Sequence, residues 1–139
     1  MADVAVTLRW AGRGLVFRGG REGDGAAPEA VVDGAGAEGP SPMQTLLLAL
    51  AGCTGADVVD MLDKMRVHLE GLDVHVEGER APEAPRRYTA VRLHFVARGL
   101  SPESEPGLRR AVELSREKYC SVLHTLRTDV VVESDVALQ

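Results

Sequence analysis

The sequence predicts an α+β protein in which antiparallel sheets surround one long central helix. Three observations carry this: apolar and polar residues alternate along several short segments, one stretch from Pro42 to Arg66 repeats its apolar side chains at spacings of three and four, and strands come in neighbouring pairs joined by turn residues. At 139 residues the chain fits one domain, over residues 1–139, with one hydrophobic core.

Asp3 to Trp10 alternates, with Val4, Val6, Leu8 and Trp10 on one side, and reads as a half-buried strand. Gly12 and Gly14 punctuate it, and Leu15 to Arg18 reads as the return strand, leading into a glycine-rich loop from Gly19 to Gly25. A short third strand is expected at Ala30 to Asp33. The small residues from Gly34 to Pro40 suit no regular structure, and Ser41-Pro42 then supplies an N-cap with proline at the first helical position. From there Leu46, Leu47, Leu50, Cys53, Asp57, Val58, Met61, Leu62 and Met65 form a helical stripe. A helix from Pro42 to Arg66 would be roughly 37 Å long, more than the about 28 Å implied by twice the expected radius of gyration. With Leu46 to Ala51 apolar nearly all round, this points to a helix buried on several sides, as in a dimer.

After Gly71, Leu72, Val74 and Val76 alternate with Asp73, His75 and Glu77; Pro82 to Pro85 makes a turn, and Tyr88 to Ala97 alternates again, giving an antiparallel pair. Ser101-Pro102-Glu103 starts a second helix, whose stripe of Leu108, Ala111, Val112, Leu114 and Ser115 leads to Cys120 at its C-terminal end. The valine-rich tail from Thr128 to Ala137 reads as a closing strand.

Hydrophobic residues make up 45% and charged residues 27%, a globular composition that suggests neither disorder nor a membrane protein. The formal net charge of -5 argues against nucleic acid as a partner, because such binding needs a surplus of Lys and Arg on one face. The longest apolar run, Leu46 to Gly52, is far short of the roughly 20 residues that cross a bilayer, and no charged-then-apolar signal opens the chain, so the expected compartment is the cytoplasm.

Two cysteines are too few for a disulfide scaffold and too far apart for a CxxC motif; they are either a redox couple or two small buried hydrophobes. Cys53 follows Gly52 and precedes Thr54-Gly55, and each glycine inside a helix costs about 1 kcal/mol relative to alanine. Either another helix packs closely there, or backbone and sulfur stay open to a substrate. Lying about three turns into its helix, Cys53 is beyond strong help from the dipole, so any thiolate support must come from a side chain; Arg18, Arg21 and the Arg109-Arg110 pair are candidates. Asp57, four residues on, would oppose ionisation of the thiol. His68, His75, His94 and His124 show neither HxxxH nor HxH spacing, so no metal site is expected. The Arg116, Glu117, Lys118 run reads as a solvated helix end.

The strings GPSPMQTLLLALAGCTGADVVDML, from Gly39 to Leu62, and REKYCSVLHTL, from Arg116 to Leu126, resemble the two signature regions of the OsmC/Ohr family of thiol-dependent peroxidases. The CTGADV run and the second string look most like its less characterised branch, and with the order of elements the resemblance covers nearly the whole chain. It implies an intertwined homodimer with its sites at the subunit interface. It implies that Cys53 attacks an organic hydroperoxide and becomes a sulfenic acid, that Cys120 resolves this as a disulfide, and that an external dithiol recycles the pair without any cofactor. Ohr-type enzymes carry a glutamate ten residues before the first cysteine, paired with an arginine that supports the thiolate; here that position is Met43. Gln44 beside it can hydrogen-bond but cannot anchor an arginine by charge, and Arg21, then Arg18, are the candidate arginines.

Three readings follow. The first is a cysteine-based peroxidase. The second is a small-molecule-binding or redox-sensing protein on the same scaffold without efficient turnover, which Met43 favours. In the third, an interaction module, both cysteines are packed and inert.

Overall fold

The computed structural model describes residues 2–23 and 27–139. The chain divides into two compact units, residues 1–46 and 47–139.

The first unit is a three-stranded antiparallel sheet in the order β1-β2-β3, with β1 at Val6–Trp10, β2 at Val16–Arg21 and β3 at Ala30–Asp33. Trp10 pairs with Phe17 across the first turn, where Gly12 and Gly14 take the positive φ values of 82° and 49° that the reversal needs. β2 runs further than its alternation suggested, so Gly19 and Gly20 lie in the strand rather than in a loop. The expected end of that loop, Gly25, lies outside the described residues. A side chain at Gly19 would run into the Thr7 carbonyl of β1, which is why glycine stands there.

The expected half-burial of the first strand is not found. Val4, Val6, Leu8 and Trp10 are all at least half exposed, because the sheet of this unit has no second layer of its own to cover them. Among the described residues of this unit, Val16, Gly19 and Asp33 are buried. Asp33 accepts backbone N–H bonds from Ala35 (2.9 Å), Ala37 (3.1 Å) and Glu38 (2.9 Å), so the stretch of small residues after β3 is a turn organised around one side chain. These N–H donors hold the Asp33 carboxyl below its usual range.

Helix α1 runs Pro42–Lys64. Its start is a reciprocal cap: the Gln44 N–H donates to Ser41 Oγ (3.2 Å) and the Ser41 N–H donates to Gln44 Oε1 (2.9 Å). It ends two residues earlier than the stripe suggested, because Arg66 turns the chain with a φ of 58°.

The second unit holds most of α1, the hairpin of β4 (Gly71–Arg80) and β5 (Tyr88–Arg98), helix α2 (Glu105–Leu114), the short helix α3 (Ser121–Thr125) and strand β6 (Val131–Leu138). The sheet order is β4-β5-β6, with β4 and β5 antiparallel as expected and β6 lying parallel to β5. One core unites Leu50, Val58 and Leu62 of α1, Val91, Leu93, Phe95 and Ala97 of β5, Leu108, Ala111 and Val112 of α2, and Cys120. By length and composition α1 could cross a membrane, yet its buried residues Leu50, Thr54, Val58 and Leu62 recur every fourth position, a stripe that three of them lend to this core. Thr54 joins that line by returning its hydroxyl to the Leu50 carbonyl, 3.0 Å away. Leu48 and Val59, on other faces, remain exposed.

Between α2 and α3 the chain widens into a single π turn, Ser115–Tyr119, closed by a 2.8 Å bond from the Cys120 N–H to the Ser115 carbonyl. Such turns occur where a side chain has to be re-aimed without ending the helical path. Cys120 therefore does not continue the face of α2. It ends the π turn and caps α3, and its sulfur accepts the Leu123 N–H at 3.3 Å.

Candidate functional site: a thiol pair in the second unit

α1 places Cys53 between the buried residues Leu50 and Thr54, which leaves its side chain packed on the edge of the core and partly exposed. The π turn brings Cys120 to it from the far end of the sequence. Both are free thiols that interact electrostatically, with Cys120 fully buried and Cys53 partly exposed. Burial pushes the Cys120 thiol up to about 11, and interaction with the neighbouring Cys53 and Asp57 acts in the same direction against the Leu123 N–H.

Asp57, one helical turn beyond Cys53, accepts a 2.7 Å hydrogen bond from the hydroxyl of Ser115, which is itself buried. The His124 ring spans the same turn, with Nδ1 2.8 Å from the Cys120 carbonyl and Nε2 3.0 Å from that of Glu117. The spacing from Cys53 flagged Asp57 in the sequence, but its partner Ser115, 58 residues away, carried no signal there.

Gly52 answers half of the question raised by the flanking glycines. A Cβ there would meet nothing within 4 Å, and one at Gly55 would make only an ordinary 3.5 Å contact with Val74, so no close packing among the described residues requires either glycine.

Arg18 and Arg21 are exposed residues of β2, and Gln44 is occupied as the Ser41 cap; all three belong to the first unit. Arg109 and Arg110 are exposed on α2, facing Glu105 (3.6 Å) and Glu113 (2.9 Å). The Arg116, Glu117, Lys118 run faces solvent as expected. The histidines are less scattered than their spacing implied: β4 and β5 stack His75 on His94 at 6.2 Å, and His94 hydrogen-bonds Asp135 of β6. Among the described residues no group of three or more His, Cys, Asp or Glu side chains is arranged to hold a metal ion.

Fold and site together define an α+β protein with a paired-thiol centre between its longest helix and a π turn. A profile of the OsmC-like protein family matches residues 34–135, and the chain belongs to that family. It is similar to Protein YhfA of Escherichia coli strain K12, with 39% identity over 116 residues that span 83% of each chain. Among solved structures it resembles a hypothetical protein from Aquifex aeolicus VF5 (26% identity, TM-score 0.78, covering 100% of this chain and 99% of that one). It also shares its fold with the organic hydroperoxide resistance protein OhrB of Bacillus subtilis (19% identity, TM-score 0.60, covering 98% of each chain).

Proposed function

We propose that this protein is a thiol-dependent peroxidase that reduces organic hydroperoxides. The observation that carries the reading is the pairing of a partly exposed Cys53 on α1 with a buried Cys120 that follows the π turn, two free thiols that interact with each other. The thiolate of Cys53 attacks the terminal peroxide oxygen; the O–O bond breaks, the sulfur becomes a sulfenic acid and the alkoxide leaves as an alcohol after taking up a proton. Cys120 then displaces the hydroxyl as water, and an external dithiol reduces the disulfide. Cys120, whose thiol is pushed up, stays protonated during the first step and becomes the nucleophile only in the second. The reaction needs no cofactor, and Arg21 or Arg18 is the arginine proposed to support the thiolate, with Gln44 as the polar neighbour.

We further propose a cytoplasmic homodimer, in which residues 1–139 of each chain act as one OsmC-like domain. The exposed Leu48 and Val59, with the open Gly52 between them on α1, supply an apolar strip for a second copy. Leu48→Asp is expected to yield monomers by sedimentation velocity; a variant that stays dimeric removes α1 from the interface.

The deciding experiment follows consumption of an organic hydroperoxide by the reduced protein with a dithiol present, in wild type, Cys53→Ser and Cys120→Ser. Loss of turnover in both variants supports the two-cysteine cycle. Wild type no faster than the variants rejects it in favour of the second reading, a ligand-binding or redox-sensing protein on this scaffold. Met43, where Ohr-type enzymes carry their glutamate, is the observation on that side.

A further inference from the structure

We propose that Asp57 and Ser115 are the positioning residues of the thiol pair: their hydrogen bond ties the turn that carries Cys120 to the helix that carries Cys53. It thereby holds the second sulfur where it can capture an oxidised first one.

Three observations converge on this pair. Ser115 is buried and uses both of its oxygens, its carbonyl closing the turn by accepting the Cys120 N–H (2.8 Å) and its hydroxyl leaving the turn to donate to Asp57 on α1 (2.7 Å). Asp57 shares α1 with Cys53 one turn away, so the bond fixes the two sulfur-bearing segments to each other and not merely to the core. The π turn is a single-turn departure from the α-helical coil, so anchoring its first residue, Ser115, to α1 sets the position of Cys120 just beyond its last.

The tether would act on disulfide formation. When Cys120 captures a Cys53 sulfenic acid, the S–O bond breaks, the S–S bond forms, and the Cys120 thiol proton leaves with the hydroxyl as water. The same geometry governs exchange with oxidised dithiothreitol, in which the two protein thiols give up two electrons and two protons to the reagent's disulfide. The role in catalysis rests on the peroxidase reading above, whereas the exchange reaction involves no peroxide and tests the tether by itself.

The experiment titrates wild type, Ser115→Ala, Asp57→Ala and Asp57→Asn against oxidised and reduced dithiothreitol, with far-UV circular dichroism confirming the fold. A hydrogen bond to a charged group contributes about tenfold or more to an equilibrium. Ser115→Ala and Asp57→Ala are therefore expected to lower the equilibrium constant for the Cys53–Cys120 disulfide by about tenfold, a shift of about 30 mV. Asp57→Asn, which keeps a carbonyl acceptor for the Ser115 hydroxyl, is expected to recover most of that loss. Should Asp57→Ala unfold, the contrast between Ser115→Ala and Asp57→Asn carries the test. Constants within about threefold of wild type for Ser115→Ala, or an Asp57→Asn value no better than that of Ser115→Ala, overturn the tether. A normal tether response with no peroxide consumption rejects only the peroxidase reading; peroxide turnover with unresponsive exchange equilibria rejects only the tether.

Discussion

Reduced Cys120 should be nearly inert toward alkylation until the solution is strongly basic. Its side chain is fully buried, and that burial, with Cys53 and Asp57 adding to it, pushes the thiol up to about 11. Only the thiolate reacts, so at pH 8 about one molecule in a thousand is reactive, against roughly a quarter for a free cysteine of pKa near 8.5. The expected penalty is about 200-fold in the rate with iodoacetamide before any steric protection, with a tenfold gain per pH unit up to about pH 11. The same shift has a consequence for folding. The native state keeps the Cys120 proton over the interval in which the unfolded chain loses it, so the contribution is fully present below pH 9 and is lost as the pH climbs to about 11. Two pKa units amount to about 3 kcal/mol, which should appear as a steeper alkaline loss of urea-unfolding free energy in wild type than in Cys120→Ala. The assay is mass-resolved alkylation of wild type and Cys53→Ser between pH 7 and 11. In Cys53→Ser the midpoint should fall but stay above that of a free thiol, because burial is the largest cause and persists. Labelling of Cys120 at pH 8 as fast as a free cysteine would refute the reasoning.

Other outcomes follow from the same structure. Phe95→Ala empties the middle of the second unit's core and should cost about 3–5 kcal/mol in urea unfolding; a loss under 1 kcal/mol would mean that the side chain is not packed as described. The Asp33 carboxyl is held below its unfolded value by backbone donors, so its stabilisation is present above about pH 4 and lost as the pH falls. The stability gap between wild type and Asp33→Ala should therefore narrow from pH 7 to pH 3, and a constant gap would contradict the turn. The Cβ of Gly52→Leu meets nothing within 4 Å among the described residues, so the circular dichroism spectrum should be unchanged. In the proposed dimer its bulk should raise the dissociation constant about tenfold or more, an overpacking cost of about 1–3 kcal/mol, as read by sedimentation equilibrium.

Helix α1, strand β3 and the β4–β5 hairpin were legible in the sequence because each rests on a local signal. A cap followed by proline sets the start at Pro42, period-four burial runs from Leu50 to Leu62, and alternation from Leu72 to Val76 answers that from Val91 to Ala97. The two cysteines were legible as candidates, since their flanking strings carry the family resemblance on their own. Tertiary structure decided everything that depends on which side chain meets which. Alternation cannot tell a covered face from an uncovered one, so Val6, Leu8 and Trp10 looked half-buried although nothing in their own unit covers them. Linear spacing set the histidines apart, and it took the β4–β5 register to place His75 beside His94. The parallel pairing of β6, the π turn that re-aims Cys120, and the Asp57–Ser115 bond across 58 residues are non-local contacts. Their free energy belongs to the assembled core, and no window of sequence short enough to show a period contains both partners.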